Sequence, residues 1–154
     1  MIQRIQSLYI LVAVFLCSLL LYGNIGSFAD AAGAEYELRF NGLYQFAAGS
    51  WNKTENVIPL AIMLVSMPLF SLVTLLLYKF RKLQIRAAIF TLLLLIGEVL
   101  LLAWYLFYAS VKYDASVIFN LKISFPLVSA ILMYLAFRGI LKDELLIRSF
   151  DRIR

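Results

Sequence analysis

The stretch AAIFTLLLLIGEVLLLAWYLFYASV, residues 87–111, is a run of 25 residues with a single charge, Glu98. An α-helix rises about 1.5 Å per residue, so roughly 20 apolar residues cross the ~30 Å hydrocarbon core of a bilayer. This run is long enough to do so. Two further stretches, Ile5 to Ala29 and Asn56 to Tyr78, carry no charge at all. Inside hydrocarbon the backbone must satisfy its own N–H and C=O groups, which makes helix the expected form of each. A fourth apolar stretch is shorter: Lys122 and Arg138 bound fifteen uncharged residues. It starts either near Ser124, with Pro126 in the first turn, or near Val117, with a kink at Pro126. Composition points the same way, since 64% of the 154 residues are apolar and 15% are charged. That balance lies outside the range of soluble domains. The length is that of one domain.

The expected fold class is therefore all-α and integral to the membrane. It is a four-helix transmembrane bundle with spans at about 7–25, 57–78, 87–108 and 124–141, in one domain covering 1–154. Charge sets its orientation. Ten of the fourteen basic residues (Arg4, Lys79, Arg81, Lys82, Arg86, Arg138, Lys142, Arg148, Arg152 and Arg154) fall on one side of such a bundle. The positive-inside rule makes that side cytoplasmic, with both termini inside. Arg39, Lys53, Lys112 and Lys122 fall on the other side, among Asp30, Glu35, Glu37, Glu55 and Asp114. Tyr9 and Tyr78 towards one face, and Tyr22, Trp104, Tyr105 and Tyr108 towards the other, fit interfacial aromatic belts. Ala29-Asp30-Ala31 has the form of a signal-peptidase site, but the first apolar run exceeds the 7–15 residues of a typical signal core, so it is expected to be retained.

The segment between the first two spans, residues 26–56, is too long for a simple turn. Glu35 to Phe40 alternates strictly, with Tyr36, Leu38 and Phe40 on one side. Asn41-Gly42 follows, a strong two-residue hairpin signal. A short β-hairpin lying over the outer helix ends is expected, with its register open. Asn52-Lys53-Thr54 has the form of a glycosylation sequon. At the other end, residues 142–154 read as a cytoplasmic amphipathic helix. Leu146, Ile147, Phe150 and Ile153 share one face, and Glu144, Arg148, Asp151 and Arg152 the opposite one.

Little in the chain carries chemistry. There is no histidine, which removes the commonest metal ligand and general base. Cys17 is the lone cysteine and sits in an apolar run without a base, so packing is its expected role. No cofactor and no enzymatic activity are expected. The net charge of +5 is accounted for by basic residues flanking the spans, so no nucleic-acid partner is expected. Glu98 is the exception. It lies near the middle of its span, where insertion scales put an acid at about 2.5–3.5 kcal/mol. It is expected to be neutral and to meet a polar partner: Ser18 on the first helix, Ser66 or Ser71 on the second, Ser129 on the fourth, or the Leu64 carbonyl, which Pro68 deprives of its N–H donor. As polar glue it would lock helices together. As a proton or cation site it would serve a small transporter. In outline this resembles the small multidrug transporters, whose glutamate, however, lies in the first helix and whose loops are very short.

Met1-Ile2-Gln3-Arg4-Ile5-Gln6 leads into the first span, and Ile147-Arg148-Ser149-Phe150-Asp151-Arg152-Ile153-Arg154 closes the chain. With four spans between them, the chain resembles a family of small uncharacterised inner-membrane proteins of the Bacteroidetes, a domain of unknown function. The resemblance implies a bacterial cytoplasmic-membrane location and carries no activity. Both motifs fall on the cytoplasmic side by charge, so Gln3, Arg4 and Gln6 are expected to meet Glu144, Arg148, Asp151, Arg152 or nearby tail groups in one polar patch. The function expected is that of a non-enzymatic accessory or scaffolding subunit. Its partners would be the lipid bilayer and a membrane protein or a second copy. The alternative is a small proton-coupled transporter of a small molecule or lipid using Glu98. Gly42-Leu43-Tyr44 in an outer loop also resembles claudin-like tetraspans in architecture, without their loop cysteine pair.

Overall fold

The computed structural model describes residues 2–30 and 33–151, with side chains from 5 to 146 apart from 31 and 32. Its elements run α1 (Ile2–Leu19), β1 (Asn24–Asp30), β2 (Glu35–Arg39), β3 (Gly42–Ala47), β4 (Ser50–Glu55), α2 (Ile58–Leu76), α3 (Arg81–Tyr113), β5 (Ala115–Ile118) and α4 (Phe125–Asp151). α1 packs against α2 and α4, and α3 packs against the same two helices. Chain direction alternates between neighbours. The helical layer thus has one end bearing the strands and an opposite, basic end holding the α2–α3 turn and the outer ends of α1 and α4.

Three helical stretches are long and apolar enough to cross a membrane: Ile58–Lys79, Arg81–Tyr113 and Leu121–Leu146. The apolar part of α1, Ile5–Leu19, is shorter. Only 28%, 28% and 33% of the three spanning windows are buried inside the protein. Their remaining surface is Ile62, Leu69, Leu93, Leu100, Phe107, Leu127 and similar side chains, an apolar area that lipid tolerates and water does not. Inward-facing Ile10, Cys17, Met67, Leu95, Met133 and Ala136 form the core between the helices. α3 has 33 residues and so runs for about 50 Å. It outreaches the hydrocarbon and carries its last turns into the sheet. It stops at Asp114, whose left-handed backbone (φ 48°) returns its N–H to the Ser110 carbonyl. Pro126 lies in the first turn of α4, where its missing N–H costs nothing. α4 then continues to Asp151 without a break, so the segment from 142 is the end of a long helix and not a separate one.

The all-α expectation is overturned. The strands form one five-stranded antiparallel sheet in the order β4-β3-β2-β1-β5, and the fold is mixed α/β. Three features account for the difference. The first apolar run does not stay helical: α1 ends at Leu19, Gly23 turns the chain at φ +69°, and Asn24 onward is strand. The β2–β3 turn is Phe40-Asn41, not Asn41-Gly42, because Arg39 pairs with Gly42 and Leu38 with Leu43. Gly42 is instead a strand residue where a Cβ would lie 2.6 Å from the Glu55 carbonyl oxygen, so only glycine lets β3 and β4 close. The β3–β4 turn, Ala48-Gly49, has both residues at positive φ (54° and 80°), which gives the twist a two-residue hairpin favours. Finally, β5 adds to β1 from almost ninety positions away, with Phe28 opposite Val117 and Ala29 opposite Ser116.

One face of the sheet rests on the helix ends. Phe28, Tyr36, Leu38 and Leu43 pack with Leu20 just past α1, Leu60 and Leu64 of α2, and Leu102, Tyr105 and Ala109 of α3. Ile25 and Phe28 both reach this core although three positions apart. The bulge between Asn24 and Gly26 adds the residue that brings them into phase. Gly26 marks the closest approach, since a Cβ there would meet Leu106 Cδ2 at 2.8 Å.

Candidate functional site

Polar side chains gather in three places, which the fold separates along the helix axis. The first is inside the helical layer. Thr74 of α2 and Thr91 of α3 share a buried hydrogen bond of 3.1 Å while each also donates to its own helix, to the Phe70 and Ala87 carbonyls. Towards the sheet end lies Glu98, fully buried, with neither Oε1 nor Oε2 finding a hydrogen-bond partner among the described residues. The bond expected from Glu98 to the Leu64 carbonyl is therefore not formed. Ser129 of α4 is likewise buried without a partner, as is Ser71 of α2. Ser66 donates to the Met63 carbonyl of its own helix and contributes nothing across helices. Cys17 of α1 stands beside Ser129 and within electrostatic reach of Glu98. Glu98, Ser129 and Cys17 thus form a small polar level contributed by three helices. The sequence reading named the first two for this level and missed the third, whose signal was its depth in the first apolar run.

The second place is the basic end. Gln6, Tyr78, Arg81, Gln84, Ile140 and Asp143 line a cavity of about 60 Å³ where α1, α3, α4 and the α2–α3 turn meet. Gln6 Nε2 donates to Asp143 Oδ2 at 2.9 Å, tying α1 to α4, and Gly139 leaves the room for it: a Cβ there would meet Gln6 Cγ at 2.8 Å. Asp143, Arg81 and Gln84 were not singled out from the sequence. Of the expected patch, Gln6 and Glu144 have described side chains. Those of Gln3, Arg4, Arg148 and Asp151 fall outside the described set, and Arg152 lies outside the described residues altogether.

The third place is the sheet. On its face away from the helices, Ser27, Glu37, Tyr44 and Lys53 stand in register across four strands. Arg39 donates twice to Glu37 Oε2, at 2.9 and 3.0 Å, and its guanidinium lies 4.7 Å from the Tyr44 ring centroid and 5.4 Å from that of Trp51. At the helix junction, Lys112 and Tyr113 both donate to Glu55 Oε1, and the Tyr113 ring packs 4.5 Å from that of Tyr36. The Lys112 ammonium holds the Glu55 carboxyl below its ordinary value of 4.5, with the Tyr113 hydroxyl helping. Among the described residues no group of three or more Cys, Asp and Glu side chains is placed to hold a metal ion.

These features define a class: a chain with three helices able to span a membrane and a β-sheet docked on one end of them. It belongs to the family described as Domain of unknown function (DUF4293), which matches residues 2–153. No curated protein matches the chain.

Proposed function

We propose that this chain is a non-enzymatic accessory subunit of a bacterial cytoplasmic-membrane assembly, with both termini in the cytoplasm and the sheet on the outer side. Charge supports the orientation: Lys79, Arg81, Lys82, Arg86 and Lys142 lie at the end opposite the sheet, where the positive-inside rule wants them. The observation that carries the subunit role is the sheet itself. Its inner face is spent on the helix ends, which fixes its position. Its outer face presents Arg39 stacked on Tyr44 and Trp51, and β4 is an edge strand exposed at four of its six residues. Tyr, Trp and Arg are the residues on which protein interfaces concentrate their binding energy. A rigidly mounted patch of this kind suits the outer segment of a neighbouring membrane protein.

The test is purification in mild detergent with mass determination of the intact complex. A membrane-protein partner at fixed stoichiometry is expected, lost when Arg39, Tyr44 and Trp51 are together changed to alanine and kept when Tyr78, at the opposite end, is changed. A wild-type chain that is always alone, or a partner indifferent to the triple change, would refute the reading.

A second reading is favoured by one observation. A fully buried carboxyl with two oxygens unpartnered among the described residues is an arrangement that a transported proton or cation would complete. Proton-coupled transport through Glu98 then requires that Glu98→Gln abolish uptake, or complementation of a deletion, while leaving insertion and assembly intact. Normal complementation by that variant removes this reading and leaves the first in place.

A further inference from the structure

At the basic end, an acid and a base face the same small cavity without pairing to each other. Arg81, in the first position of α3, and Asp143 of α4 both line the cavity of about 60 Å³, yet the ion pairs among the described residues are Arg39–Glu37 and Lys112–Glu55 alone. Gln84, one turn into α3, is 6% exposed and lines the same cavity, and its side-chain amide makes no hydrogen bond among the described residues. The N-terminus of α3 adds to this. It has no side-chain cap and no acidic residue in its first turn, so its leading N–H groups and the positive end of its dipole stay available. Lys79 and Lys82 flank Arg81 on an adjoining groove that Glu144 also lines. One side of the cavity is therefore built for an oxyanion and the other for a cation.

We propose that this cavity binds the phosphoethanolamine headgroup of a bilayer lipid, its phosphate at Arg81 and the first turn of α3, its ammonium at Asp143. Phosphate matches a guanidinium and free helix amides. A primary ammonium offers three N–H donors. The Asp143 carboxylate has accepting capacity left for them, because the Gln6 bond takes only part of Oδ2. The unpartnered Gln84 amide supplies one more polar contact. A choline headgroup has the same charge but no N–H to give. A lipid, and not a soluble phosphoamine, is the expected source because the cavity sits at the helix ends, where headgroups lie if the helices span the membrane. In that respect the inference rests on the membrane placement proposed above.

The experiment reconstitutes the full chain in nanodiscs containing phosphatidylglycerol with either phosphatidylethanolamine or phosphatidylcholine, then releases it for native mass spectrometry. Wild type is expected to retain phosphatidylethanolamine about tenfold over phosphatidylcholine, the value of one charge-assisted hydrogen bond. Asp143→Asn keeps an acceptor for Gln6 but should erase that preference. Arg81→Gln should lower retention of both lipids. A preference unchanged in Asp143→Asn, or retention unchanged in Arg81→Gln, overturns the assignment. A headgroup-photoreactive phosphatidylethanolamine provides a check on the wild-type chain alone. Crosslinks are expected at residues 78–84 and 140–143, and crosslinks spread evenly along both leaflets would overturn the proposal. Wild type that inserts without lipid preference sinks the headgroup site only, whereas a chain that stays outside the nanodisc sinks the membrane placement.

Discussion

Replacing Glu98 by leucine should make the protein more stable. The carboxyl is fully buried and neither oxygen is hydrogen-bonded among the described residues. A buried neutral carboxyl left unsatisfied costs about 1–3 kcal/mol. Leucine removes that cost. It also joins the apolar layer to which Leu95 and Met67 already belong, at an overpacking penalty of about 1 kcal/mol. The net gain expected is about 1 kcal/mol, roughly fivefold in the unfolding equilibrium. Glutamine, which keeps two polar atoms at the same place, should stay within about 0.5 kcal/mol of wild type by the same reasoning. The assay is reversible unfolding in mixed dodecylmaltoside–SDS micelles, followed by circular dichroism at fixed pH. The order leucine above glutamine and wild type supports the reasoning. A leucine variant less stable than wild type by more than about 1 kcal/mol would refute it. That result would mean that the carboxyl gains a bond from a bound cation or ordered water, and the transport reading would then gain weight.

Other consequences are more local. Thr74→Val and Thr91→Val should each be mild, and a double-mutant cycle should return a coupling of about 0.6 kcal/mol, the size typical of interhelical hydrogen bonds in membranes; zero coupling would mean the 3.1 Å contact contributes nothing. Gly42→Ala places a Cβ 2.6 Å from the Glu55 carbonyl oxygen, a main-chain atom that cannot turn aside. It should destabilise by about 1–3 kcal/mol, with loss of amide-exchange protection confined to the β3–β4 edge. Glu55 carries a pH dependence of known sign. Its folded value lies below 4.5, held there first by Lys112, so its contribution is present above pH 4.5 and is lost as pH falls through the folded value. The difference in melting temperature between wild type and Glu55→Gln should therefore shrink on acidification below that point, and a constant difference would contradict the pairing.

How far the fold could be read from the residues depended on which solvent each segment meets. Long uncharged runs report on lipid, and two of them, 56–78 and 87–111, fall in stretches with the length and hydropathy to cross a membrane; the third such stretch, Leu121–Leu146, holds the short fourth run, while the run from Ile5 does not stay helical. The sheet escaped because its signals are short or disguised. Asn24 to Ala29 is uncharged and joins the apolar run of α1 without a charge between them, so hydropathy alone merges strand with helix. Gly23 was the one available boundary mark. The bulge at Ile25 then breaks the period-2 alternation that would have identified β1. β5 is four residues long, too short to show any period. It exists only because β1 lies beside it, and no local pattern contains that information. Even the hairpin that was visible shifted its turn, because Leu38 and Leu43 bury opposite each other only when Phe40-Asn41 makes the loop. A core contact outweighed the preference of Asn-Gly for the turn.

The polar positions divide along the same line. Glu98 was legible because a charge in a lipid-length run is costly wherever it points, and cost can be seen in one dimension. Its neighbours could not be chosen that way. Ser66 and Ser129 looked equivalent in sequence, yet Ser66 spends its hydroxyl on its own helix while Ser129 remains unpartnered beside Cys17. Helix rotation separates them, and packing alone sets rotation. The cavity at the basic end shows the complementary limit. Arg81 and Asp143 each look like ordinary interfacial charges, of the kind that only meet water and headgroups. They become a candidate site because α3 and α4 bring them to one small cavity without an ion pair between them, with Gln84 buried at its wall. Two opposite charges that line one cavity unpaired give it a positive and a negative side. In this chain that space runs from a guanidinium to a carboxylate, the reverse of a zwitterion.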